Sequence, residues 1–412
     1  MRRPHRILLA LLLVGCGPAS NAESDAAARL CGPTLPAIRD RYTDADVGAL
    51  RRFRQSPLGT VAFSDNSPPA NRITNPGAAL GRVLFYDMRL SRNDRIACAS
   101  CHRQAFGFGD TARFSTGHLG RPLARHTMAL ANARFNAAGR FFWDQRAPSL
   151  EAQVLQPVSD SMEMGLEPEA LERKLAATSF YPALFTAAFG SPEITRDRIA
   201  AALAQFVRSL VSARSRLDAV YATGTAPDST LLTASEREGL RLFTTIGCIN
   251  CHRTIAFFAD KASNNGLDSI PADTGAGGGQ FKPPSLRNVA VRPPYMHDGR
   301  FTTLRQVVEF YDHGVRNSPA LDPRLRARDG EPRRLHLSPA QVDALVAFMD
   351  ALTDSTFLRD ARFSDPFPCA SSRTRPPVDP RTDRAGRPGR RPVASPLDLA
   401  AAPRATAEWR TR

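Results

Sequence analysis

Two pentapeptides of the form Cys-x-x-Cys-His, Cys98-Ala99-Ser100-Cys101-His102 and Cys248-Ile249-Asn250-Cys251-His252, stand 150 residues apart and take four of the seven cysteines. The pattern is that of covalent haem attachment: two thiols add to the vinyl groups of one porphyrin, and the adjacent histidine swings beneath it to bind iron. A thioredoxin-like redox pair would need a βαβ context that the flanks lack, and a zinc site would need further clustered ligands at matching spacing. Two copies therefore predict two haems, with His102 and His252 as proximal ligands.

The flanks repeat as well. Gly81-Arg82-Val83-Leu84-Phe85 precedes the first motif and Gly239-Leu240-Arg241-Leu242-Phe243 the second; Arg103 and Arg253, Phe108 and Phe258, and Asp110 and Asp260 follow at matching offsets. This is the signature of a duplicated unit. Each copy enters on an amphipathic helix, and Thr233-Ala234-Ser235-Glu236 reads as a capping box for the second. The expected fold is all-α, with two cytochrome c-like haem domains, loop-rich connections and a disordered C-terminal tail.

Residues 1–16 read as an export signal. Arg2, Arg3 and Arg6 form a basic start, Ile7 to Val14 an apolar stretch too short to span a bilayer, and Leu13-Val14-Gly15-Cys16 resembles a bacterial lipobox. Cys16 is then the lipidated first residue of a protein anchored to the outer membrane on its periplasmic side; the alternative is an ordinary signal peptide in which Cys16 is incidental. Cys31 and Cys369 are left over, either as a disulfide in an oxidising compartment or as two buried thiols.

At 412 residues and 42% hydrophobic content the chain can bury two cores. Its formal charge of +15 is uneven, since residues 370–412 carry ten arginines against four carboxylates in a Pro-rich context. Such a tail fails to form a core. The export signal argues against nucleic acid as its partner, leaving solvent, anionic lipid or an acidic redox protein. Ile199, Leu203, Phe206, Val207, Leu210 and Val211 predict a core helix, Ser338 caps a last one, and the Gly275–Gly279 run is a loop without a phosphate-binding pattern. The expected division is a signal peptide at 1–15, an arm at 16–65, haem domains at 66–228 and 229–368, and a tail at 369–412.

The stretches 80–110, 142–165 and 281–314, taken with the two motifs, resemble the bacterial dihaem cytochrome c peroxidase and MauG superfamily over residues 70–355. The resemblance implies an N-terminal haem where peroxide reacts and a C-terminal haem that relays electrons. Trp143 resembles the family's tryptophan between the haems. Gln153, Pro157 and Glu163 match its distal pocket, with Glu163 as acid-base. On the second haem, Tyr311 falls where the peroxidases carry a methionine ligand and resembles MauG instead; Met296 and His313 are rivals. A phenolate stabilises the oxidised iron, whereas a thioether raises the potential. His118 falls on the peroxidase-type sixth ligand of the first haem, which MauG lacks, and is either that ligand or structural. His126 replaces the asparagine of the family's calcium site, and imidazole is a poor ligand for a hard cation.

These features imply an enzyme that reduces hydrogen peroxide with electrons from a small cytochrome c or cupredoxin. A MauG-like oxidant of a partner protein's side chain is a second reading, and a non-catalytic electron-transfer cytochrome is a third.

Overall fold

The computed structural model describes residues 33–34, 42, 65–222, 227–252, 256 and 261–367. The expected leader with Cys16, the Cys31–Cys369 pair, the arginine-rich tail, and Arg253, Phe258 and Asp260 of the second flank lie outside these residues.

Among the described residues the fold is all-α, with isolated β-bridges and no sheet. The helices are α1 (Asn75–Tyr86), α2 (Cys98–Cys101), α3 (Leu150–Ser159), α4 (Pro168–Ala176), α5 (Tyr181–Phe189), α6 (Arg196–Ser209), α7 (Arg216–Val220), α8 (Ala234–Thr245), α9 (Leu304–Glu309) and α10 (Pro339–Asp350). Their starts follow side-chain chemistry. Thr74, Ser149, Thr195, Thr233, Thr303 and Ser338 each accept a hydrogen bond from a first-turn amide, and the Thr233 capping box is present as expected.

Two hydrophobic cores result. The first gathers Leu80, Val83 and Phe85 from α1 with Leu171, Tyr181, Phe185, Leu203 and Phe206 from α4 to α6. The second gathers Leu242 and Phe243 from α8 with Val342, Leu345 and Phe348 from α10. Each is organised by one close helix crossing. A Cβ at Gly81 would overlap the Ala202 carbonyl oxygen of α6, and a Cβ at Gly239 would overlap the Ala344 carbonyl oxygen of α10. The repeated glycine therefore lets each pair of helices touch backbone to backbone. One turn further on, Phe85 and Phe206 ring centroids lie 5.2 Å apart, and Phe243 and Phe348 lie 5.1 Å apart.

The duplication extends past the helices. Asn132 and Asn288 both take left-handed backbone angles, φ 63° and 57°. Asn132 accepts the Ser212 N–H at 2.9 Å, and Asn288 accepts the Asp354 N–H at 2.8 Å. The segments joining the cores meet at the Asp354 carboxylate, which is 1% exposed and accepts the N–H groups of Ala213 and Arg214 at 3.0 and 2.9 Å.

Two expectations are corrected in detail. The helical stripe from Ile199 ends at Ser209, after which Leu210 stays with the first core and Val211 enters the second. The stretch to residue 368, expected in the second haem segment, sends Phe357, Phe363 and Phe367 back to the first core. Phe357 meets Phe108 at 5.6 Å and Phe363 meets Phe206 at 6.4 Å, because these aromatics find their apolar partners there.

Candidate active site

The first motif opens onto a cavity of ≈ 1010 Å³ lined by Cys98, Cys101 and His102 and walled on its apolar side by Phe85, Leu203 and Val207. The second opens onto one of ≈ 220 Å³ lined by Cys248, Cys251 and His252. His102 Nδ1 lies 2.9 Å from the Phe108 carbonyl oxygen; donating its proton there leaves Nε2 as the ligand nitrogen. Burial pushes the free Cys98 and Cys248 thiols up to about 12 and the Cys101 thiol up to about 11. Among the described residues no group of three or more His, Cys, Asp or Glu is arranged to hold a metal ion. The donor set and the cavities fit a porphyrin.

Helix α3 lays Gln153 and Pro157, one turn apart, along the first cavity. Its following loop is folded back so that Glu163 lines the cavity too. Asp160 Oδ1 accepts the Met162 and Glu163 amides at 2.7 and 3.3 Å, and the Glu163 carbonyl accepts the His118 N–H at 2.8 Å. Burial, reinforced by the Asp160 charge, pushes the Glu163 carboxyl up to about 7. A carboxyl poised there can both take and return a proton at neutral pH.

His118 is not among the residues lining this cavity. Its ring rests against Gly165, its Nδ1 is buried with no hydrogen-bond partner, and its main-chain N–H holds the Glu163 loop.

In the second cavity Tyr311 sits in a π-helical turn, Phe310–Gly314, that continues α9. Asn265 Nδ2 donates to Tyr311 Oη at 3.3 Å and lies 3.7 Å from Met296 Sδ. Burial pushes the phenol up to about 12, while the Asn265 hydrogen bond opposes this, so Tyr311 stays protonated until a cation faces it. Met296 also lines the cavity. His313 points outward, 69% exposed and 3.1 Å from Asp312 Oδ2.

His126, Trp143, Lys282, Pro284 and Arg292 line both cavities and form the wall between them. Main-chain groups stitch it together: Trp143 Nε1–H donates to the His126 carbonyl, the His126 N–H to the His297 carbonyl, and the Lys282 N–H to the Trp143 carbonyl, each at 2.7 Å. Sequence reasoning found Trp143 and missed Lys282 and Arg292. The available signal is a cation set beside prolines in an acid-free apolar run, Phe281-Lys282-Pro283-Pro284 and Val291-Arg292-Pro293-Pro294.

A family model described as di-haem cytochrome c peroxidase matches residues 75–226. The methylamine utilization protein MauG of Methylorubrum extorquens is 34% identical over 361 residues, covering 85% of this chain and 95% of that protein. The chain belongs to the dihaem cytochrome c peroxidase and MauG family. It is therefore an oxidoreductase of the dihaem class, with two c-type haems as the family's cofactors. Both branches of the family are represented among its relatives: the cytochrome c551 peroxidase of Nitrosomonas europaea is 33% identical over 266 residues, 61% of this chain and 78% of that protein. A solved MauG-like protein associated with microbial copper homeostasis is 30% identical with a TM-score of 0.66, covering 74% of this chain and 96% of the other.

Proposed function

We propose that this protein is an exported dihaem peroxidase that reduces hydrogen peroxide to water in the first cavity, with electrons delivered through the second from a small cytochrome c or cupredoxin. The observation that carries the reading is Glu163, held at about 7 beside Gln153 in the cavity that the first haem motif opens. Cys98 and Cys101 would hold one porphyrin covalently and Cys248 and Cys251 the other, with His102 and His252 on the irons. When bound, the first haem supplies the peroxide-binding iron and the second a store of one electron.

The chain's own groups do the rest. Glu163 takes a proton from one peroxide oxygen and returns it to the other as the oxygen–oxygen bond breaks; two electrons and two protons then balance two waters. The Gln153 amide orients peroxide. Trp143, fixed by its Nε1–H bond to the His126 carbonyl, places an indole in the wall shared by both cavities. Tyr311 Oη caps the second cavity and favours oxidised iron there. Calcium is not assigned: His126 Nδ1 already lies 3.1 and 3.2 Å from the Ala112 and Arg113 carbonyl oxygens, and the Arg292 cation is nearby.

Tyr311 in the second cavity favours a second reading, a MauG-like peroxide-dependent oxidation of a side chain on a partner protein. The Leu13-Val14-Gly15-Cys16 lipobox supports a periplasmic protein anchored to the outer membrane through Cys16. The test is a haemochrome count followed by turnover. Two covalent haems per chain and steady peroxide consumption with a reduced small donor support the peroxidase; fewer than two haems ends both readings, and peroxide-dependent modification of a partner without donor turnover selects the second.

A further inference from the structure

The wall between the cavities has a composition that neither haem attachment nor peroxide chemistry explains. Of its five side chains two are cations, and none is a carboxylate. Lys282 is 4% exposed and Arg292 is 6% exposed. Two arginines buried more deeply still are neutralised: Arg208 meets Glu151 at 2.6 Å, and Arg287 grips both oxygens of Asp218 at 2.7 and 2.8 Å, while Arg82, 5% exposed, is met by the Ser364 carbonyl and the Ser364 and Tyr42 hydroxyls. Arg292 has no such partner among the described residues. One Nη2 hydrogen reaches the Ser285 carbonyl, and its Nε–H is buried with nothing to receive it. Burial pushes Arg292 down to about 10 and the Lys282 ammonium, 5.4 Å from the Phe141 ring centre, down to about 8. Charge in an apolar wall is costly unless an anion meets it.

Each wall face looks into a cavity that fits a porphyrin, and every haem carries two propionate carboxylates. We propose that Arg292 and Lys282 bind haem propionates at the wall between the two cavities and thereby set the potentials of both haems. Guanidinium suits the task because its fork of donors matches a carboxylate. Because both cations face both cavities, neutralising either lowers both midpoint potentials, since a lost positive charge favours oxidised iron.

The proposal rests on the dihaem reading, and the experiment separates the two. Holoprotein variants Arg292→Gln, Lys282→Gln and the charge-keeping Arg292→Lys and Lys282→Arg are compared by haemochrome count, potentiometric titration, and the propionate bending bands in resonance Raman. The Gln variants are expected to keep two haems, lower both potentials and shift a propionate band, while the charge-keeping variants restore the potentials. Two haems with unmoved potentials and propionate bands in the Gln variants overturn the proposal, whereas fewer than two haems in the wild type overturns the dihaem reading instead. A purely structural role would lower thermal stability without moving the potentials, and that result also counts against the proposal. If Arg292→Gln does not fold, Lys282→Gln decides on the same readouts.

Discussion

The two haem cavities are built from the same parts and finished differently. In each, a glycine-bearing helix crosses a second helix at touching distance, an asparagine in the left-handed region opens the loop that follows, and a Ser or Thr cap starts a helix along the cavity. The eighth residue of that helix in the first copy is Pro157; the eighth residue counted from the start of α9 is Tyr311. Both positions interrupt regular helix, one by a proline without an N–H and the other by a π-helical turn. At this position the first copy presents a ring with no donor atom to a cavity of ≈ 1010 Å³, while the second presents a phenol to one of ≈ 220 Å³. The proposed division into a cavity open to substrate and one that supplies its own ligand thus has a donor-bearing side chain at the aligned position of the second copy alone.

The sharpest break in this comparison is Glu163, pushed up to about 7, whereas the carboxyl lining the second cavity, Asp322, is held low by its hydrogen bond to Arg324. Glu163→Gln should lower peroxide turnover by about 10²–10⁴-fold while leaving two haems in place. As the proton acceptor is the carboxylate, kcat/KM in the wild type should fall about tenfold per pH unit below about 7, and this limb should vanish in the variant. Next in size is the second cavity: Tyr311→Met should raise that haem's potential on the order of 100 mV or more, within the ≈ 0.8 V that axial ligands span, and bring in a near-infrared sulfur-to-iron band. A wild type that already shows the band makes Met296 the ligand.

The shared frame should respond alike in both halves. Gly81→Ala and Gly239→Ala each push a methyl into a facing carbonyl, and each should cost about 1–3 kcal/mol in denaturant unfolding. A loss confined to one half would mean that the crossings are not equivalent. The smallest effect belongs to His118→Gly. Since the ring rests against Gly165 outside the cavity, the rate of the oxidised protein with peroxide in stopped flow should stay within about twofold, the change expected when no transition-state contact is removed. A lag in the wild type that the substitution removes would instead make His118 a ligand that must leave.

Much of this was legible in the chain because it rests on short-range patterns. The Cys-x-x-Cys-His motifs, the Thr233 cap and the repeated Gly81 and Gly239 each depend on neighbours within a few positions. What escaped depends on distant partners. Nothing local marks Phe357, Phe363 and Phe367 as belonging to the first core, or Asp354 as the acceptor for amides of the 212–214 linker. His118 matches the spacing of a ligand, yet its direction is set by the Glu163 carbonyl and by Gly165, which enter the chain more than forty residues later. Lys282 and Arg292 look like ordinary surface cations until the fold closes over them.

The central claim is that one cavity is open and the other supplies its own ligand, and a low-temperature electron paramagnetic resonance spectrum of the fully oxidised holoprotein tests it most directly. The account predicts one high-spin ferric signal from the His102 haem and one low-spin signal from the His252 haem, the latter altered by Tyr311→Met and the former untouched by His118→Gly. Two low-spin signals, with a high-spin species appearing on loss of His118, would contradict it.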